Sequence, residues 1–267
     1  MVGTEAANPP AGVTAPLVVM RGIAKYYGAV AALRHVDLSV DRGEVVALLG
    51  DNGAGKSTLI KILSGALRAD AGEILVEGRR VEIGGPKDAK ALGIETVYQD
   101  LALCDHLDVP ANIFLGRELR KPLLGRYLGW FDRRRMAEET RDLLGRLRIE
   151  IDDLGITVRH LSGGQRQSVA IAKSVYGDAR VVIMDEPTAA LGVVQTAKVL
   201  ALVNDLRAAG LAIVYVSHNL ADVFEVADRM VVLKNGRLVG ERWRRDTDRD
   251  DILRLIIAGE PAGEAAA

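Results

Sequence analysis

Residues 50–58 bring glycines, a lysine and two hydroxyls together at a spacing suited to polyphosphate chemistry: Gly50-Asp51-Asn52-Gly53-Ala54-Gly55-Lys56-Ser57-Thr58. The run fits the pattern G-x-x-x-x-G-K-[ST], in which a glycine-rich turn points several backbone N–H groups at one anion. Lys56 can set a point charge between the β- and γ-phosphates, and Ser57 can offer its hydroxyl to magnesium. A second constellation is Asp185-Glu186, which closes the apolar run 181–184. At the end of a buried strand, Asp185 can hold magnesium through water and Glu186 can polarise an attacking water. Two adjacent carboxylates there cost solvation energy unless a cation or partner compensates. A third is Leu161-Ser162-Gly163-Gly164-Gln165, a serine and two glycines opening a helix, which makes a second anion site. Together these residues predict binding of a nucleoside triphosphate.

The elements around them agree. The apolar, β-branched run 45–49 reads as a buried strand leading into the glycine loop, and a helix starts at 58–63. Further strands are predicted at 17–23, 37–40 and 44–49, with a half-exposed one at 73–77, where polar and apolar residues alternate. The middle of the chain changes character. Asp132 reads as the cap of a helix over 133–147, and a second helix is predicted over 163–176, so that 101–177 forms a helical insertion. The last third returns to alternation. The run 181–184 reads as a central parallel strand, 193–209 as a helix closed by Gly210, 212–216 as a buried strand and 219–227 as a short helix. Asn235-Gly236 predicts a hairpin turn between 229–234 and 237–239. No internal repeat is visible. Residues 17–260 read as a single domain between tails 1–16 and 261–267, both predicted to be disordered.

With 267 residues, 49% of them hydrophobic, the chain can bury a sizeable core. A net charge of −1 and a pI near 6.5 give no electrostatic case for nucleic acid as a partner. The only cysteine, Cys104, leaves no internal disulfide and fits a reducing compartment; it is expected to be a small, partly buried apolar residue. His35, His106 and His160 lack metal-ligand spacing and are expected to carry no special role. No apolar run approaches the roughly 20 residues of a membrane span, and the N-terminus lacks a basic start followed by an apolar run. The expectation is a cytoplasmic chain that works at a membrane only through other subunits.

In this order the motifs resemble the ATP-binding subunit of an ABC transporter, over about residues 17–260. The stretch from Gly50 to Thr58 resembles Walker A, Leu161 to Gln165 the ABC signature, and the strand ending in Asp185 and Glu186 Walker B with its catalytic glutamate. Gln99, after a strand at 94–98, resembles the Q-loop glutamine, and His218 the switch histidine. Tyr27, in preference to Tyr26, lies where an aromatic residue would stack on adenine. The resemblance implies an α/β fold: a P-loop NTPase core of RecA-like type with a mostly parallel sheet, an antiparallel β subdomain, and a helical subdomain (about 101–177) carrying the signature. It implies ATP and Mg2+ as ligands, with Ser57, Gln99 and Asp185 at the metal. It also implies a head-to-tail homodimer in which Leu161, Ser162, Gly163, Gly164 and Gln165 face the ATP held by the partner copy. Implied partners are membrane permease subunits and a periplasmic or extracellular solute-binding protein, with this chain peripheral on the cytoplasmic face. Residues 51–59, 131–136 and 189–192 are similar to the monosaccharide-importer branch of ribose, xylose and fructose type. An importer of amino acids or another small solute is the alternative. Soluble ABC ATPases of DNA, ribosomes or iron–sulfur assembly usually carry coiled-coil insertions, zinc-binding cysteines or tandem domains, none of which is seen, and a small-molecule kinase has no place for the signature. One departure stands out: Gly192 occupies the position where the family's aspartate helps join the two domains, which puts the strength of dimer closure in question.

Overall fold

The computed structural model describes residues 16–121 and 130–259. Apart from Pro16, the tails expected at 1–16 and 261–267 lie outside the described residues.

The chain begins with a long hairpin, β1 (Val18–Tyr27) and β2 (Val30–Val40), paired antiparallel. Then follow β3 (Val45–Gly50), α1 (Lys56–Leu63), β4 (Ala71–Val76), β5 (Arg79–Val81), α2 (Pro86–Ala91), β6 (Ile94–Val97) and α3 (Val109–Ile113). The remainder is α4 (Arg133–Arg146), α5 (Gly163–Val175), β7 (Val181–Asp185), α6 (Val193–Ala208), β8 (Ala212–Val216), α7 (Leu220–Val226), β9 (Arg229–Lys234), β10 (Arg237–Trp243) and α8 (Arg249–Ile257).

These strands form two sheets. An antiparallel sheet has the order β2-β1-β4-β5, and a six-stranded sheet has the order β10-β9-β3-β8-β7-β6. In the second, β9, β3, β8, β7 and β6 run parallel, with β10 as an antiparallel edge. Parallel strands covered on both faces must be apolar on both faces, which is why β3, β7 and β8 are continuous apolar runs. Val46, Leu48, Ile183 and Val214 pack one face against α1 and β2, through Leu59, Ile62, Leu33 and Val36. Ala47, Leu49, Val182, Met184 and Tyr215 pack the other face against α6, α7 and α8, through Val199, Val203, Val223 and Ile252. A third core joins α3, α4 and α5 around Phe114, Met136, Leu143 and Val169. Because β3, β7 and β8 are parallel and in register (Leu48 opposite Val216, Val216 opposite Asp185), the segments that follow them emerge at one edge.

The structure extends several sequence-read elements and adds others. β1 continues past Ile23 to Tyr27 because Gly22, at φ +58°, takes up an irregularity that hides the strand's period. β2 is an eleven-residue strand of which only its end, 37–40, was legible. His35 sits within it at φ 54°, breaking the alternation. β10 runs on to Trp243 rather than stopping at 239. The helix α8 was missed because it buries only Ile252 and Leu255 amid acidic and basic residues. Cys104 is exposed, contrary to expectation. Its backbone N–H donates to Asn112 Oδ1 (2.7 Å) and its carbonyl accepts from Asn112 Nδ2 (3.0 Å), so buried Asn112 fixes the chain there while the thiol faces outward.

Candidate nucleotide site

The loop between β3 and α1 is shaped by glycine. A Cβ at Gly50 would lie 2.2 Å from the Leu233 carbonyl oxygen, and one at Gly55 would lie 2.8 Å from that of Ala32. Gly55, at φ 109°, caps α1 without any side-chain bond, so the first N–H groups of Lys56, Ser57 and Thr58 have no side chain satisfying them. Lys56 folds back over this turn, its Nζ donating to the carbonyls of Gly50 (2.7 Å) and Asp51 (3.0 Å). These are the donors that an incoming phosphate needs. Asp51, Asn52, Gly53, Ala54, Gly55, Lys56, Ser57 and Thr58 all line an open cleft of about 930 Å³.

The far wall of the cleft was not legible. It comes from Arg34 on β2, from Lys234, Asn235 and Arg237 of the β9–β10 hairpin, and from Ala258-Gly259 after α8. The turn signal at Asn235-Gly236 announced the hairpin but not its neighbour. Gly236 N–H donates to the Ala54 carbonyl (3.0 Å) and its own carbonyl accepts from Arg34 N–H (2.7 Å), pinning the hairpin to the phosphate loop. Tyr27 does not line the cleft itself. It is exposed at the end of β1, opposite Val30, which does line the cleft.

The carboxylates stand beside the loop. Burial, then Glu186, raises the Asp185 carboxyl above the ordinary range against the pull of Lys56 and Lys61. Burial likewise lowers the Lys56 ammonium, opposed by Glu186, Asp51 and Asp185. The three groups thus share one desolvated field in which each charge depends on the others. Glu186 is a non-glycine residue at φ 50°, held by its N–H to the Val216 carbonyl (2.9 Å). Such strain persists only where the surroundings enforce it. His218, after β8, is 77% exposed at the side chain and Glu186 is 17% exposed; His218 Nδ1 and Glu186 Oε1 are 2.9 Å apart. Beneath them Thr188 Oγ1 donates to buried Asp222 Oδ2 (2.6 Å), tying the loop after Glu186 to α7. Nothing in the spacing of Thr188 and Asp222 signalled that bond. Gln99 follows β6 and shares a separate hollow with Asp185.

The signature residues sit elsewhere. Ser162 caps α5 with a reciprocal box: its Oγ accepts from Gln165 N–H (3.3 Å) and its N–H donates to Gln165 Oε1 (3.0 Å). The Ser162 hydroxyl proton and the helix's first N–H groups stay available to an anion. Ser162, Gly164 and Gln165 line a hollow with Gln195 and Lys198, and none of Leu161, Ser162, Gly163, Gly164 or Gln165 reaches the phosphate-loop cleft of its own chain. Gly164 packs so tightly on α6 that a Cβ there would lie 2.8 Å from Gln195 Cγ. Gln195 in turn accepts from Gly192 N–H (2.8 Å), and Gly192 caps α6.

This arrangement meets its match among known proteins in one family model, described as ABC transporter, which aligns with residues 33–189, more than half of the chain. The chain belongs to the ABC transporter family. The cassette is 45% identical over 242 residues to the Xylose/arabinose import ATP-binding protein XylG of Sulfolobus acidocaldarius, covering 91% of this chain and 94% of that one. It is 45% identical to the Fructose import ATP-binding protein FrcA of Rhizobium meliloti, covering 94% and 98%. Against the Ribose import ATP-binding protein RbsA 1 of Burkholderia cenocepacia it is 44% identical over 93% of this chain but only 48% of the relative. Among solved structures, the ADP conformation of an ATP-binding cassette of an ABC transporter matches with TM-score 0.76 at 26% identity, covering 91% and 95%. A dimeric, post-hydrolysis cassette bound to ADP and phosphate matches with TM-score 0.71 at 25% identity, covering 86% and 100%. The α/β architecture read from the sequence is therefore that of an ATP-binding cassette.

Proposed function

We propose that this cassette is the ATP-hydrolysing subunit of an importer of a small solute, a monosaccharide of the xylose, fructose or ribose kind. The observation that carries the reading is the gathering of Lys56, Asp185, Glu186 and His218 at the carboxyl edge of one parallel sheet, beside a loop with unspent N–H donors. The sugar class rests on the names of the relatives.

The triphosphate lies on the loop from Gly50 to Thr58, with Lys56 turning from its carbonyl partners to the β- and γ-phosphates. Adenine stacks on Tyr27 at the cleft rim. Magnesium fits the donor set: Ser57 Oγ, the Asp185 carboxylate and the Gln99 amide oxygen are all hard oxygen ligands that would hold it, and a cation there would favour the ionised form of Asp185 that burial disfavours. Among the described residues no cluster of three or more His, Cys, Asp or Glu could hold a metal by itself. When bound, the ion would supply neutralisation of the charge that develops on the phosphate oxygens. Glu186 orients a water for in-line attack and takes its proton as the new O–P bond forms and the β–γ bridging bond breaks. His218, held through Nδ1 by Glu186, has Nε2 free for the γ-phosphate. Catalysis is positioning plus charge stabilisation.

The signature's separation from the cleft of its own chain supports a head-to-tail homodimer, in which Ser162, Gly163 and Gly164 complete the partner's site. Among the described residues no helix is long and apolar enough to cross a membrane. Membrane passage falls to permease subunits and solute capture to a separate binding protein, with this chain peripheral on the cytoplasmic face. Lys56→Ala is expected to abolish Mg–ATP turnover by the purified chain, measured as phosphate release; retained turnover would refute the assigned site.

A further inference from the structure

Gln99 is followed by an unusual piece of backbone. Leu101 and Ala102 both have positive φ, 60° and 45°, and among the described residues no other two consecutive non-glycine residues do so. Left-handed backbone is unfavourable for any residue with a Cβ, and two in succession require an external hold. One hold is local, Leu101 N–H to the Tyr98 carbonyl (2.9 Å). The other comes from across the molecule: Lys173 Nζ donates to the Ala102 carbonyl (2.9 Å). Lys173 is half-buried on α5, the helix that Ser162 caps, and Arg117 fastens the end of that helix by donating to the carbonyls of Lys173 and Tyr176. Tyr98, Gln99, Asp100 and Ala102 line the hollow that contains Asp185. Two side chains of α5 reach this loop, Arg166 to the Asp105 carboxylate and Lys173 to the Ala102 carbonyl, and Lys173 is the one that holds the strained pair next to Gln99.

We propose that Lys173 is a positioning residue: its bond to the Ala102 carbonyl latches the loop carrying Gln99 to the helix carrying the signature. While the latch is made, the strained loop is kept and Gln99 faces Asp185. When α5 shifts, the carbonyl must follow or the loop relaxes and Gln99 withdraws. Burial, then the neighbouring Arg117, lowers the Lys173 ammonium, and the Ala102 carbonyl is the hydrogen-bond acceptor that Nζ meets there. The inference deepens the nucleotide-site reading and rests on it for the role of Gln99.

The test uses the full-length chain and a fluorescent ATP analogue titrated in magnesium and in EDTA. Lys173→Met should keep the EDTA affinity and shrink the gain in affinity on adding magnesium by about fivefold, the scale of one strained residue. Adding Ala102→Gly should restore the gain, because glycine takes left-handed backbone freely and no longer needs the latch. Ala102→Pro, at an exposed position, should reproduce the loss with Lys173 intact, which ties the gain to this backbone, and Lys173→Gln, whose shorter side chain ends in a weaker donor, takes the place of Lys173→Met if that variant does not fold. A second readout needs no nucleotide: the exposed thiol of Cys104, two residues on, should react faster with an aromatic disulfide in Lys173→Met than in Lys173→Met with Ala102→Gly, two variants that lack the same ammonium and differ only in the loop. An unchanged magnesium gain in Lys173→Met, or no recovery in the double variant by either readout, overturns the latch. A wild-type chain that binds no nucleotide in either buffer overturns the site reading instead, and the thiol rates of the two variants still decide the latch.

Discussion

At the residue level the site is built at the expense of stability. Asp185 and Glu186 are adjacent carboxylates beside Lys56, and the ordinary charge state of Asp185 and of Lys56 is disfavoured by burial. For Asp185 the sign follows directly: a folded carboxyl raised above its unfolded value is unfavourable when ionised at neutral pH, and the penalty fades as pH falls through the folded value. Asp185→Asn should therefore raise the melting temperature of the nucleotide-free chain near pH 7. The increment should diminish at acid pH, and the added stabilisation by Mg–ATP should be lost, all by calorimetry. Gly192 is the other residue with a measurable consequence. It caps α6 without a side chain, and its Cβ would meet only the flexible Gln195 Oε1, at 2.9 Å. Gly192→Asp supplies a stronger cap worth a few tenths of a kcal/mol. It is also expected to alter the ATPase rate or its cooperativity in ATP; steady-state kinetics indistinguishable from wild type would exclude a role for this position in closure.

Between elements, the contact to watch is α5 on α6. The two signature glycines differ in what they touch: a Cβ at Gly164 would collide with Gln195 Cγ and Cβ at 2.8 and 2.9 Å, whereas one at Gly163 would meet only Leu191 Cδ2 at 3.4 Å. Gly164→Ala should cost roughly 1–3 kcal/mol in denaturant unfolding, the scale of overpacking. Gly163→Ala should fall well below it, and equal losses would show that the packing of Gly164 on Gln195 is not a constraint. The same contact links the signature, through Gln195 and the Gly192 N–H, to the loop that leaves Glu186.

Across the whole molecule, one buried ion pair fixes where β3 delivers the phosphate loop. Arg229, at the start of β9, donates from Nε to Glu44 Oε1 (2.7 Å) and from Nη2 to Oε2 (3.0 Å), with both side chains almost fully buried. Its remaining donors reach Glu241 and the Ser39 carbonyl, so four segments meet on one guanidinium. Glu44→Ala removes the buried carboxylate and leaves Arg229 paired only with half-exposed Glu241, so it should cost about 1–3 kcal/mol in chemical denaturation. A loss below about 1 kcal/mol would mean water replaces the carboxylate. The proposed assembly is tested by the solution mass of Glu186→Gln: a shift from monomer to dimer on adding ATP is the expected result. A monomer that still binds ATP would make closure depend on the permease, with Gly192 as the first residue to revert.

Much of this was written in the chain locally. Glycines at 50, 53 and 55 before Lys56, the apolar runs of β3, β7 and β8, the Asp132 and Ser162 caps and the Asn235-Gly236 turn are short-range signals, and each arises from backbone sterics or the burial of a few adjacent side chains. The α/β class follows from their order. What remained hidden depends on residues far apart in sequence. Arg34, Lys234 and Arg237 line the cleft only because the β9–β10 hairpin is pinned to Ala54. Thr188 meets Asp222, and Lys173 meets Ala102, across 34 and 71 residues. α8 hides because burying two side chains leaves too little apolar pattern to read. The sequence by itself determined which groups could bind and cleave a phosphate anhydride. That the signature lies outside the cleft of its own phosphate loop was implied by the resemblance, but its physical reason is tertiary: the third core docks α5 through its apolar stripe and so sets where its N-terminus lies.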